Sequence, residues 1–203
     1  MNFVENVRYD LWGRSIQSGG HPMFILKWLL IPWAVVVVGA IGAGQMDFFQ
    51  SLAPTDLGVR SGKLKLPSGT DNSVSSQAAL YPDHPRHLAA QIAPLPLRGD
   101  GPATLARIKS IVMVMAGAKI VKSEADYLYA QFTTPLMKFV DDVEFWYDPV
   151  AQVIQVRSAS RMGESDLGVH RQRIEAVRAA LVPSLRSSSV LALLDVTGSV
   201  DIN

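Results

Sequence analysis

The chain has 203 residues, no cysteine, and 19 basic against 18 acidic side chains, for a formal charge of +1. Disulfides, thiolate catalysis and cysteine-ligated zinc are therefore excluded, and a near-neutral chain without long single-sign runs offers nucleic acid no surface. The 48% hydrophobic content is modestly high for a soluble domain, and most of the excess sits near the N-terminus.

Residues 24–44 read FILKWLLIPWAVVVVGAIGAG, with Lys27 as their one charge. A helix needs about 20 apolar residues to cross a hydrocarbon core of ~30 Å, so this stretch is expected to span a membrane. Trp28 and Trp33 suit the interface or upper leaflet, and Pro32 is tolerable in the first turns of such a helix. Arg8, Arg14 and Lys27 precede the span, whereas Asp47 and Asp56 come before the first cation after it, Arg60. The positive-inside rule then keeps residues 1–23 in the cytoplasm and exports the rest, which in a bacterial inner membrane means the periplasm. Cleavage as a signal peptide is the main alternative, because Ala40-Ile41-Gly42 places small residues where a signal peptidase reads. A buried soluble helix is the third.

Residues 45–100 form an extended arm punctuated by Pro54, Pro67, Pro82, Pro85, Pro94 and Pro96. Leu57, Val59, Leu64 and Leu66 are its expected anchoring points, and LPSGTDNS reads as turn chemistry. A short helix is predicted from His84 to Ile92, with Leu88 and Ile92 on one face.

Residues 101–183 are regular. Pro102 suits a first helical turn, Leu105, Ile108, Val112 and Met115 recur at helical spacing, and Gly117 ends the element. Strands are predicted at Lys119–Lys122, Tyr127–Thr134, Val140–Tyr147 and Val153–Ser160. A last helix, capped by Ser165 or Asp166, runs through Leu167, His170, Ile174, Val177 and Leu181 to Pro183. The fold class is α+β: an α-β-β-β-β-α order with a four-stranded antiparallel sheet and both helices packed on one face. The tail, residues 184–203, is either an edge strand or a segment lying on the membrane.

Strand parity sorts the side chains. Leu128, Ala130, Phe132, Val143, Phe145 and Tyr147 share the helix face, leaving Tyr127, Tyr129, Gln131, Asp142, Glu144 and Trp146 on the other. A turn at 148–151 sets Asp142 opposite Arg157 as a register-fixing ion pair. Asp141 falls among the apolar set, where a carboxylate needs a partner such as Arg161. Asp141, Asp142 and Glu144 as a metal or acid–base cluster is the sharper alternative, and Arg157 and Arg161 with Ser158 and Ser160 as an anion clamp is another. His84 and His87 have a metal-like spacing but are expected, with His170, to be solvent-exposed. Arg171, Arg173 and Arg178 are expected on a solvated helix face. The exposed aromatics Tyr127, Tyr129 and Trp146 need a cover: the arm, a lipid or other apolar ligand, or a partner protein. The candidate ligand or partner surface is Tyr127, Tyr129, Trp146, Asp142, Glu144, Arg157, Arg161, Ser165 and Asp166.

The motifs LGVRSGKL, NSVSSQA, IAPLPLRGDG, FVDDVEF and VIQVRSASRMGESDLGVHRQRIEAVR, in that order over about residues 57–182, resemble the domain of unknown function 1499 family. The resemblance implies an exported or membrane-associated protein of the kind found in bacteria and plastids, and brings no reaction with it. The family often carries two cysteines around the stretch written here LPSGTDNSVSS, where this chain has Ser73 and Pro67 or Ser68, so any bridging or metal role of those cysteines is absent. The functional expectation is a membrane-anchored, non-catalytic accessory or assembly subunit of a membrane-protein complex, with no cofactor and no metal. The alternatives are a lipid or other apolar small-molecule binder and, behind it, a hydrolase-type enzyme using Asp142, Arg157 and Arg161.

Overall fold

The computed structural model describes residues 22–46, 51–165 and 167–182. The N-terminal segment before residue 22, Asp166 and the tail 184–203 lie outside the described residues. The chain divides into two units, residues 1–43 and 44–203.

The first unit carries most of helix α1 (Pro22–Gln45), which continues through Pro32. Its stretch Trp28–Gln45 has a mean hydropathy of 1.7, and the helix is long and apolar enough to cross a membrane. Trp28, Leu29, Trp33, Val35, Val36 and Val38 are all exposed.

The second unit is an antiparallel sheet of six strands, not four. The regular strands are β3 (Ala118–Ser123), β4 (Tyr127–Thr133), β5 (Val140–Asp148) and β6 (Val153–Ser160). Two short additions come from the arm: β1 (Ser73–Ser75) pairs with residues 157–159 of β6, and β2 (Leu95–Pro96) with residues 153–154. Pieces this short carry no alternation to read. Their existence depends on the β6 edge, some 80 residues away in Ser76 N–H to Val156 O, which would otherwise be left unpaired. The sheet order is β1-β6-β5-β4-β3 with β2 also on β6.

Helix α3 (Gly101–Met113) starts on Asp100, whose carboxylate accepts the Ala103 N–H at 2.7 Å. Gly117, at φ +75°, turns the chain into β3 so close to the Thr133 carbonyl that a Cβ would collide with it. Helix α4 (Val169–Leu181) begins after Gly168, which has φ 83° and no side chain to cap with, so Ser165 is not a cap. Ser165 instead bridges Asp71. The arm helix shrinks to α2 (His87–Ala90), leaving Leu88 exposed while Ile92 is buried. Leu64 is fully buried but Leu66 is 44% exposed, so only the former anchors the arm as expected.

The main core lies on one face of the sheet. Leu105, Ile108 and Val112 of α3 and Ile174, Val177 and Leu181 of α4 pack on Leu128, Phe132, Val143, Phe145, Ile154 and Val156, each buried side chain contributing about 1.5–3 kcal/mol.

The β5–β6 hairpin is shifted by two residues from the register expected. Asp148 belongs to the strand and closes the turn itself, its Oδ1 accepting from the Val150 and Ala151 N–H groups at 3.0 Å, while Gln152 takes φ 54°. Hence Glu144, not Asp142, lies opposite Arg157, and Asp142 lies opposite Ala159. A two-residue slip preserves every face assignment and changes every partner.

Candidate functional site

Two polar layers lie on opposite faces of the same strands. The first contains seven residues singled out above. Glu144, fully buried, accepts from the Tyr127 hydroxyl and from the Gly58 N–H, both at 2.7 Å, and its other oxygen stands 3.5 Å from Arg157 Nη1. Asp142 meets Arg161 as a two-pronged pair, Nε to Oδ2 at 2.9 Å and Nη2 to Oδ1 at 2.8 Å, and also accepts from the Tyr129 hydroxyl at 2.5 Å. Arg157 donates to the Leu66 carbonyl at 3.2 Å.

Over this layer lies the arm. Leu64 packs with Tyr127, Tyr129 and Trp146, flanked by Leu57 and Val59. The aromatic face is therefore covered from within the chain. Burial leaves its mark on the titrations. Desolvation, reinforced by Glu144, drives the Tyr127 phenol far above its ordinary value, and desolvation plus the Asp142 contact raises Tyr129. Burial pulls the Arg157 guanidinium down against the carboxylates Glu144, Asp142 and Asp56, whereas the Asp142 contact holds Arg161 up.

The second layer, on the helix face, was not anticipated as a unit. Asp141 finds Arg173 rather than Arg161: Nη2 donates to Oδ2 at 2.7 Å, with the guanidinium 4.3 Å over the Phe132 ring. Arg173 is thus not a solvated cation. Arg171 and Arg178 reach back to the arm, donating to the carbonyls of Ala89 and Gln91 and of Ala93 and Pro94. His170 is fully buried, its Nδ1 2.7 Å from Ser158 Oγ and its Nε2 3.1 Å from Ser160 Oγ. Ser160 in turn donates to Asp141 Oδ1 at 2.6 Å. The clue in the sequence is parity: Asp141, Ser158 and Ser160 take the apolar face, and His170 and Arg173 flank Ile174 on the buried side of α4.

The second layer lines a cavity beside α4. Asp141, Ser160 and His170 floor a cavity of about 290 Å³ whose walls include Phe139, Met162, Leu167 and Val169, with Ser165 at its rim. It shares Thr134 and Val169 with a neighbouring cavity of about 350 Å³ bordered by Met115, Phe132, Pro135, Gln172 and Arg173. Together they make a groove between the β4–β5 connection and the start of α4. Leu136 and Leu167, 61% and 90% exposed, stand in the loops that border it. Among the described residues no group of three or more His, Asp or Glu is placed to hold a metal ion.

A family model described as "Protein of unknown function (DUF1499)" matches residues 63–181. The chain belongs to that family. The matched segment contains β1 to β6, α3 and α4, and with them both polar layers. No curated protein and no solved structure matches the chain.

Proposed function

We propose that the protein is a membrane-anchored, extracytoplasmic binding protein that holds an apolar small molecule in the groove beside α4. The observation that carries this reading is the groove's composition: apolar walls of Phe139, Met162, Leu167 and Val169 over a floor of Asp141, Ser160 and His170. An apolar lining with a few convergent polar groups is the usual make-up of a small-molecule site, and the two cavities, about 290 and 350 Å³, lie at the lower edge of the size range of such sites. The helix Pro22–Gln45 serves as anchor, and the cations Arg8, Arg14 and Lys27 ahead of it favour a cytoplasmic N-terminus and a periplasmic domain.

A docking role for the aromatic face loses its surface, since Leu57, Val59 and Leu64 occupy it. An accessory role in a membrane complex then rests on the groove, as delivery of the bound molecule to a partner. Catalysis by Asp142, Arg157 and Arg161 draws no support from their positions, because each is buried in an ion pair on the covered face.

Organic extraction of the purified full chain, followed by mass spectrometry, tests the reading. An apolar molecule in near-stoichiometric amount is expected from the natural chain and not from Val169→Trp, which fills the junction of the cavities. Equal recovery from both, or none from either, would overturn it.

A further inference from the structure

Resting on the binding reading above, we propose that the groove floor selects an uncharged alcohol at the end of an apolar chain and rejects a carboxylate. The direction of the hydrogen bonds argues this. Arg173 can only donate and the Asp141 carboxylate only accepts, and between them the second polar layer closes into a ring. Arg173 Nη1 donates to Ser158 Oγ at 3.2 Å, so the Ser158 proton goes to His170 Nδ1 at 2.7 Å. A proton on Nδ1 itself would face Arg173 Nη1, 3.1 Å away. The imidazole proton therefore sits on Nε2 and points to Ser160 Oγ, 3.1 Å away, and the Ser160 proton points to Asp141 Oδ1. Arg173 Nη2 completes the ring on Asp141 Oδ2.

The consequence lies at Ser160, which with Arg173 is only partly buried while Asp141, Ser158 and His170 are buried. Its proton is committed to Asp141, so it turns only a lone pair toward the cavity, beside a carboxylate oxygen. Two acceptors side by side suit a hydroxyl that donates. A ligand carboxylate there meets lone pairs and negative charge; the hydroxyls of Thr134 and Ser165 lie on the exposed rim. An ammonium gains little, because Arg173 already neutralises Asp141, and burying a charge without a counter-charge is costly.

The test uses the full chain in phospholipid nanodiscs with three photoprobes of one chain length: decanol, decanoate and decylamine, each with a mid-chain diazirine. Labelled residues are mapped by peptide mass spectrometry and normalised to lipid labelling in the same discs. Decanol is expected to label Phe139, Met162 or Leu167 at least about tenfold more than either charged probe, the ratio that about 1.4 kcal/mol of preference produces. In Ser160→Ala that ratio should fall toward one; should this variant not fold, the natural chain's ratio alone decides. Equal or stronger capture of decanoate or decylamine overturns the head-group assignment but leaves the groove standing. So does decanoate captured at Met115 or Pro135, beside Arg173. Labelling of the groove by none of the three overturns the assignment and the binding reading together.

Discussion

Asp141 and Asp142 are neighbours in sequence and face opposite worlds. Asp142 lies under the arm, locked to Arg161 and Tyr129 beside the Glu144–Arg157 pair, with Leu57, Val59 and Leu64 above. Asp141 lies under α4, bound to Arg173 and Ser160 at the floor of an open groove. The first layer lies under the arm and holds it to the sheet, as in the bond from Gly58 N–H to Glu144. The second keeps a polar floor beneath a cavity. Alternation along one strand thus lets a single DD pair build a structural joint and a candidate binding site at once.

The sharpest way to separate the two is to remove charges from each. Arg157→Met leaves Glu144 buried and unpaired, and should cost about 3–5 kcal/mol in chemical denaturation of the reconstituted chain. The double replacement Glu144→Leu with Arg157→Met should recover most of that loss, and a double variant as unstable as the single one would remove the ion pair from the argument. Asp142→Asn should lower stability while leaving ligand recovery per folded molecule unchanged. Asp141→Asn should lower stability by about 1.5–3 kcal/mol, the range for hydrogen bonds to charged groups, and also change which head group is retained. If both variants alter retention alike, the division into joint and site is wrong.

Alkaline titration reads chiefly the layer under the arm, with Tyr81, whose phenol burial also raises, as a third late tyrosine. Tyr127 and Tyr129 have folded pKa values raised above the ordinary ~10 for tyrosine, whereas the unfolded chain ionises there. Between the unfolded and folded values the unfolded state binds fewer protons, so stability is full below about pH 10 and falls as pH rises beyond it. Tyrosinate absorbance should therefore show Tyr127 and Tyr129, two of the five tyrosines, ionising only together with loss of the near-ultraviolet dichroism, and Tyr81 ionising above its ordinary value. Ionisation of all five before unfolding would mean that the arm does not exclude water.

The smallest effect is expected at the hairpin turn. Burial is the largest influence on Asp148 and pushes its pKa up. The hydrogen bonds from Ala151, Gln155 and Val150 together outweigh burial and hold the carboxyl below its ordinary value. Its contribution is present above the unfolded pKa of ~3.9 and is lost as pH falls through the lower folded value. Asp148→Ala should cost about 1 kcal/mol, comparable to losing a helix cap, and abolish that acid-side slope. An unchanged slope would show that other carboxylates set it.

Much of this was legible in the chain. The apolar run from Phe24 to Gly44 announces a helix long and apolar enough to cross a membrane, and the spacing of Leu105, Ile108 and Val112 places α3. The face of every residue in β4, β5 and β6 follows from period two, which survives even a misjudged turn. Such features depend on local backbone geometry, so neighbouring residues suffice to reveal them. Partners are different. That Glu144 meets Arg157 depends on Asp148 bonding its own turn. That Arg173 reaches Asp141, and that His170 is buried between Ser158 and Ser160, depends on how α4 crosses the sheet. The strands β1 and β2 exist only because β6 offers its edge. Contacts between residues far apart in the chain are decided by packing, where each side chain's environment comes from elements it cannot see along the sequence.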